Sequence, residues 1–287
     1  MSCHFLRLVA SAFYRIGYKL HHKFFLRHQP KLHTPVVIVG NYLAGGAGKT
    51  PFTIWLAKFL QEQGKRVAIL CHRAAWDEFN LLKTQLPDTK IIATKNRYAT
   101  AKEIQNKFDI ILCDDGFEDT RFTSAIRICL DWQEPPTSWT KILPAGPFRS
   151  LKQDHDEREI IHLNCYEKSP DIQFSIESLT NFIPGTTRNT TVICGIGSPQ
   201  RFIKDILAFG QNSSIKIEKS INRPDHDKHF SQVLQNELFH NKDIVISQKD
   251  ACRLPQTILN HPKLHIAIQK IKVSDKAINA IKSAIKV

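Results

Sequence analysis

Residues 35–63 constrain the fold more than any other stretch of this chain. Pro35-Val36-Val37-Ile38-Val39-Gly40 is a short β-branched run that reads as a buried strand. It leads through Asn41-Tyr42-Leu43-Ala44-Gly45-Gly46-Ala47-Gly48-Lys49-Thr50-Pro51 into residues 52–63. There Phe52, Trp55, Leu56, Phe59 and Leu60 have helical spacing, and Gly64 is a natural stop. Strand, glycine-rich loop, Lys-Thr and helix is the order of a phosphate-binding loop. Glycines let consecutive backbone N–H groups approach phosphate oxygens, and the start of a helix adds its positive dipole end. Gly45, Gly46, Ala47, Gly48, Lys49 and Thr50 are therefore the expected nucleotide-binding set. Lys49 would neutralise the β and γ oxygens, and Thr50 would offer its hydroxyl to magnesium. Leu43 stands where the general pattern has its early glycine, so the loop is a variant.

A second signal lies about 65 residues on. Phe108-Asp109-Ile110-Ile111-Leu112-Cys113 is another buried-strand pattern, and it ends in Asp114-Asp115-Gly116-Phe117. An acid at the carboxyl end of a strand beside a phosphate loop suits a magnesium-supporting carboxylate, which selects Asp114.

Strand and helix patterns alternate through 36–40, 52–63, 66–70, 91–94, 99–107, 110–113, 126–130 and 160–163. The expected fold class is α/β: a P-loop NTPase-type, mostly parallel sheet with flanking helices. A polar stretch near 167–171 precedes further α/β patterns at 191–194, 201–209, 215–220 and 244–247. The expected organisation is a basic amphipathic membrane-surface helix over 1–30, a nucleotide-binding lobe over 31–167, and a second, smaller α/β lobe over 168–287 that closes the cleft.

The 287-residue chain carries a formal charge of +13, which calls for an anionic partner. Its first acidic residue is Glu62, so residues 1–61 are basic without compensation. Phe5, Val9, Phe13, Ile16, Leu20 and Phe24 recur three or four apart, with Arg7, Arg15, Lys19, Lys23 and Arg27 interleaved. Such a helix suits an anionic bilayer surface; the same stripe packed on the protein's own core is the alternative. Ala10-Ser11-Ala12 resembles a signal-peptide cleavage site, but Arg7 interrupts the short apolar region before it. No run approaches the roughly 18–20 apolar residues a spanning helix needs. Cysteines 3, 71, 113, 129, 165, 194 and 252 form no CxxC pair, and they read as buried reduced thiols.

Several segments together resemble the tetraacyldisaccharide 4'-kinase family of lipid A synthesis. Gly40 to Pro51 looks like that family's phosphate loop, including its missing early glycine. Asp114 to Asp119 resembles its Asp-Asp-Gly-Phe-Gln-His, with Glu118 and Asp119 in place of the last two. Leu143 to Arg149, Gly195 to Phe202, Pro224 to Asp227 and Ser247 to Ala251 match further family segments in order. After Cys71-His72-Arg73 the family's glycine-containing loop is contracted by roughly a score of residues.

The resemblance implies ATP as donor, Mg2+ held by Thr50, Asp114 and Glu78, and a sugar hydroxyl of a lipid A disaccharide precursor as acceptor. It carries a catalytic Asp–His pair onto Asp77 and His226, with Lys49 and Asp115 completing the catalytic set. Arg73 and Arg149 are the candidates for binding substrate phosphate. Each has a structural alternative: Asp77 and Glu78 opening a helix, His226 as a solvated loop residue, the arginines as loop braces. The implied location is the cytoplasmic side of a bacterial inner membrane, with no nucleic acid and no obligate protein partner. A membrane-recruited ATPase, or a catalytically impaired lipid- or nucleotide-binding relative, is the rival reading.

Overall fold

The computed structural model describes residues 3–24, 29–156, 160–182, 188–213, 215–225, 227–240 and 242–286. The chain divides into two compact units, 1–172 with 273–287, and 173–272.

The first unit is built on a six-stranded sheet. Its strands are β1 (Val36–Gly40), β2 (Val67–His72), β3 (Lys90–Thr94), β4 (Ile110–Asp114), β5 (Ile126–Asp131) and β6 (Ile160–Asn164), in the order β3-β2-β4-β1-β5-β6. Every neighbouring pair is parallel. All five residues of β1 and of β4 are buried, as expected for central strands of a parallel sheet covered on both faces. The crossovers are α2 (Lys49–Glu62), α3 (Trp76–Gln85) and α4 (Arg97–Ile104). Tyr98, Ala101 and Ile104 of α4 pack on Ile38, Leu70 and Cys113 in one core layer.

Strand order reverses at β1: the chain builds β2 and β3 to one side, returns for β4, then crosses to β5 and β6 on the other. The carboxyl ends of β1 and β4 flank that switch point, where open α/β sheets bind ligands. Gly40 ends β1 because nothing larger fits: a Cβ there would lie 2.3 Å from the Cβ of Phe117.

Helix α1 (Cys3–Phe24) is mounted inside out. Phe5, Leu6, Val9, Phe13, Ile16, Leu20 and Phe24 are all exposed, Phe13 to 70%. The opposite, polar face holds the helix to the first unit. Buried Ser11 donates to the Ile142 carbonyl (3.1 Å) and accepts from the Ala145 N–H (3.0 Å). Arg15 forms a fork with Asp154 (Nη2 to Oδ1, 2.8 Å), and the Tyr18 hydroxyl donates to Glu118. The apolar stripe read from the sequence is therefore turned away from this unit's own core.

The second unit contains β7 (Ile172–Leu179), β8 (Arg188–Cys194), α5 (Pro199–Ser213), β9 (Ile215–Asn222), α6 (Phe230–Phe239), β10 (Asp243–Ser247), α7 (Gln248–Ala251), α8 (Gln256–Leu259) and β11 (Leu264–Val273). Its sheet order is β7-β11-β10-β8-β9. Parallel pairing joins β11, β10, β8 and β9. The edge strand β7 runs against β11: the Thr180 N–H donates to the Ile266 carbonyl at one end, and the Ser274 N–H to the Asp171 carbonyl at the other. One core layer gathers Phe230, Leu234, Ile244 and Leu264, and another gathers Val192, Phe202, Ile206 and Val245.

The final helix, α9 (Asp275–Ile285), belongs to the first unit, although the sequence grouped everything after 167 together. Ala277, Ile281 and Ile285 bury its apolar stripe, and the Lys282 ammonium sits 5.7 Å from the centre of the Phe59 ring. Periodicity announces such a stripe but not the surface that receives it.

Candidate active site

The loop after β1 is shaped by three glycines in the left-handed region, Gly45 (φ 82°), Gly46 (φ 60°) and Gly48 (φ 73°). A side chain would be strained at each, and together they turn the chain so that α2 begins at Lys49. Gly48 caps α2 without a side chain, so the first-turn N–H groups face the loop. Leu43, in place of the early glycine, pairs with Phe148, and the Ala44 N–H donates to the Pro147 carbonyl (2.9 Å). The 142–149 loop thus takes over part of the support. From the other side the Trp132 indole N–H donates to the Ala47 carbonyl (2.9 Å).

Lys49 and Thr50 are both buried. The Lys49 ammonium donates to Asn41 Oδ1 (3.3 Å) and lies 3.3 Å from Asp115 Oδ1. Asn41 Nδ2 is buried without a partner, a donor that an acceptor oxygen in the loop would satisfy. Thr50 and Thr53, one helical turn apart, donate to the two carboxylate oxygens of Asp114 at 2.8 and 2.9 Å.

Asp114 and Asp115 sit side by side in different electrostatic settings. Burial, and then the negative charge of Glu78, push the Asp114 carboxyl up to about 7, against the pull of its threonine hydrogen bonds. For Asp115 burial acts in the same upward direction, but Lys49 and Arg149 outweigh it and bring the carboxyl down to about 2. Arg149 Nη1 donates to Asp115 Oδ1 at 2.9 Å. Asp115 is a non-glycine residue with φ of 50°, a conformation that persists only where the surroundings enforce it. Buried Arg97 does so, its Nη2 donating to the carbonyls of both Asp114 (3.0 Å) and Asp115 (3.1 Å).

The contraction after β2 closes as a short turn, with the Ala75 N–H donating to the His72 carbonyl (3.0 Å). Arg73 is exposed on that turn, and its N–H donates to the Thr94 carbonyl. Helix α3 starts three residues later and carries Asp77, fully buried, and Glu78 in its first turn. Thus Lys49, Thr50, Glu78, Asp114, Asp115 and Arg149 come together, whereas His226 lies outside the described residues.

Asn41, Thr53, Arg97 and Trp132 were missed as site residues. Thr53 was findable, because it lies on the Thr50 face of a helix. Arg97 carries no local signal.

Glu118 and Asp119, the departures from the family pattern, have structural partners. Glu118 accepts from Ser150 (2.7 Å) and Tyr18, with His155 and His22 within 3.7 and 3.9 Å. Through Tyr18 it is one of the anchors for α1. Asp119 forms a fork with Arg121, at 2.8 and 2.6 Å.

In the second unit three of the quoted segments converge. Fully buried Asp250 accepts from the Gly195 N–H (3.2 Å) and the Ser247 hydroxyl (2.7 Å). Arg253 links the Gly195 carbonyl (3.0 Å) to Asp225 (3.0 Å), and Lys249 also reaches Asp225 (3.4 Å).

A family model described as tetraacyldisaccharide-1-P 4'-kinase matches residues 3–73 and 71–286, its two segments meeting where the loop after Arg73 is contracted. Among curated relatives, tetraacyldisaccharide 4'-kinase of Chlamydia caviae is 26% identical, covering 81% of this chain and 76% of its own. The enzyme of Shewanella woodyi is 28% identical over 77% of this chain and 72% of its own, and that of Herminiimonas arsenicoxydans 27% over 90% and 83%. A solved structure described as the "apo" form of LpxK from Aquifex aeolicus in complex with ATP has the same fold, with a TM-score of 0.65 at 22% identity over 97% of both chains. The chain belongs to the tetraacyldisaccharide-1-P 4'-kinase family.

Proposed function

We propose that this chain transfers the γ-phosphoryl group of ATP to the 4'-hydroxyl of a tetraacylated glucosamine disaccharide 1-phosphate at a membrane surface. The observation that carries this reading is the charge cluster at the phosphate loop: Lys49 between Asn41 and Asp115, and Thr50 on Asp114, at the switch point of a parallel sheet. Phosphoryl transfer asks a protein mainly to position reactants and to stabilise developing charge. The loop N–H groups and Lys49 cradle the β and γ phosphates. Asp115, held ionised by Lys49 and Arg149, positions the acceptor hydroxyl. Arg149 and Arg73 bind phosphate groups of the substrates. The family resemblance assigns the proton of the acceptor hydroxyl to His226 and the role of its paired carboxylate to Asp77.

The donor set also fits a hard divalent cation. The negative charge of Glu78 disfavours the ionised form of Asp114 beside a threonine hydroxyl, which is chemistry that Mg2+ relieves. Thr50, Asp114 and Glu78 would hold it. When bound, the ion supplies charge neutralisation for the transferring phosphoryl oxygens.

The outward stripe of α1 supports a peripheral site on an anionic bilayer, on the cytoplasmic side of the inner membrane. No helix among the described residues is long and apolar enough to cross a membrane.

The test is transfer of labelled γ-phosphate from ATP to purified lipid A disaccharide 1-phosphate. Labelled lipid is the expected result. ADP release that ignores the lipid would instead identify a switch ATPase and overturn the proposal.

Asp114→Asn should lower turnover by about a hundredfold or more, from loss of an electrostatic contact in the transition state. It should also alter stability. A carboxyl raised on folding contributes stability that is lost as pH rises, here between the ordinary carboxylate range and about 7. Without added metal, the wild type should therefore lose melting temperature across that window more steeply than Asp114→Asn. Parallel melting curves would remove the assigned charge environment.

A further inference from the structure

Cys129, Asp131 and His162 form a cluster that the phosphoryl-transfer reading does not use. We propose that they constitute a binding site for a borderline-soft divalent cation of the zinc type, separate from the magnesium position at the phosphate loop. Cys129 and Asp131 lie two apart on β5 and so project from the same face. His162 is the register partner of Cys129 on β6 and stands on that face too. The three donor atoms lie within 4.8 Å of one another. Cys129 Sγ is 3.1 Å from Asp131 Oδ1, and His162 Nδ1 is 2.6 Å from Asp131 Oδ2. Ligand bonds of roughly 2.0–2.3 Å place donors about 3.3–3.8 Å apart around a tetrahedral ion, so small side-chain rotations suffice.

The chemistry of the set selects the ion. Thiolate and imidazole favour zinc-like ions over magnesium, whose preferred ligands are carboxylate, carbonyl and water. Thiolate and carboxylate charges together balance a dication. Access is open: the His162 side chain is 32% exposed and that of Asp131 13%, while Cys129 is buried behind them. Two ladder-paired strands hold the backbone, so binding needs no refolding. On binding, the Sγ–H proton leaves to solvent as the sulfur–metal bond forms. The imidazole proton takes the Nε2 position, which frees the Nδ1 lone pair, and a water completes the fourth position.

The test uses the full chain in excess Mg2+, titrated with ZnCl2 by calorimetry and with CoCl2 by absorption. One equivalent of Zn2+ should bind with proton release. Co2+ should produce a thiolate charge-transfer band and tetrahedral ligand-field bands. Because losing an outer-shell partner alone costs 10–100-fold in affinity, His162→Gln, a change at a half-exposed position, should weaken binding by at least about 100-fold. Cys129→Ser should abolish the charge-transfer band, and Cys252→Ser, at a half-buried thiol in the second unit, should retain it. No saturable zinc binding, or binding unchanged in His162→Gln, would overturn the proposal.

Discussion

Lys49→Ala should reduce phosphoryl transfer by about a thousandfold or more, the range for removing a fixed charge from a transferring phosphoryl group. Lys49 is buried and bound on both sides, to Asn41 and Asp115, so it is already positioned before substrate arrives. That pre-organisation is why one side chain has so large an effect: no reorganisation remains for the moment of transfer. The variant should keep much of its ATP affinity, because the loop N–H groups and the α2 terminus remain. Turnover and ATP dissociation constant, measured side by side, check this. Turnover within about tenfold of wild type would remove the nucleotide assignment from this loop.

The same substitution has a signature in acid. A carboxyl lowered on folding contributes stability that is present at neutral pH and is lost as pH falls towards its folded value. Asp115 is lowered to about 2 by Lys49 and Arg149 acting against burial. With Lys49 gone, Arg149 alone opposes burial, so less stability depends on the Asp115 charge, and its loss in acid should be smaller and complete at higher pH than in the wild type.

The double substitution Phe13→Glu with Ile16→Glu should lower affinity for anionic vesicles by about 100- to 10,000-fold, at roughly 1.5–3 kcal/mol for each large apolar side chain withdrawn from the bilayer boundary. Both residues are exposed, so melting in solution should change little. Truncating residues 1–27 is a poorer test, because it also strips the Arg15–Asp154 and Tyr18–Glu118 contacts from the first unit. Co-sedimentation with vesicles at moderate salt reads the outcome. Undiminished binding would place the membrane surface elsewhere on the molecule.

The phosphate loop, the strand ending in Asp114 and the amphipathic stripe of α1 were legible in the linear chain. Each is written locally, as a glycine pattern between two periodicities, an acid at the end of an apolar run, or a recurrence of apolar residues every three or four positions. The α/β class followed from the alternation of those patterns. The stripe of α1 left inward packing as an alternative to a bilayer surface, and only the tertiary structure turned it outward. It did so through Ser11, Arg15 and Tyr18 on the other face, whose partners lie 131, 139 and 100 residues away.

The rest of the site depends on such distant pairings. Arg97 braces the Asp114–Asp115 turn from a helix that its own sequence marks only as a crossover. Glu118 departs from the family motif in the sequence; in the fold it accepts from Ser150 and helps to hold α1 through Tyr18. Cys129 and Asp131 meet His162 because β5 and β6 pair in one register; a shift of one residue would send His162 to the opposite face. By itself the sequence determined the local chemistry: where a phosphate can be cradled, where an acid ends a strand, and which helix face is apolar. Tertiary structure decided which groups share a site and which charges are buried together, because register and burial are set by contacts summed over the whole fold.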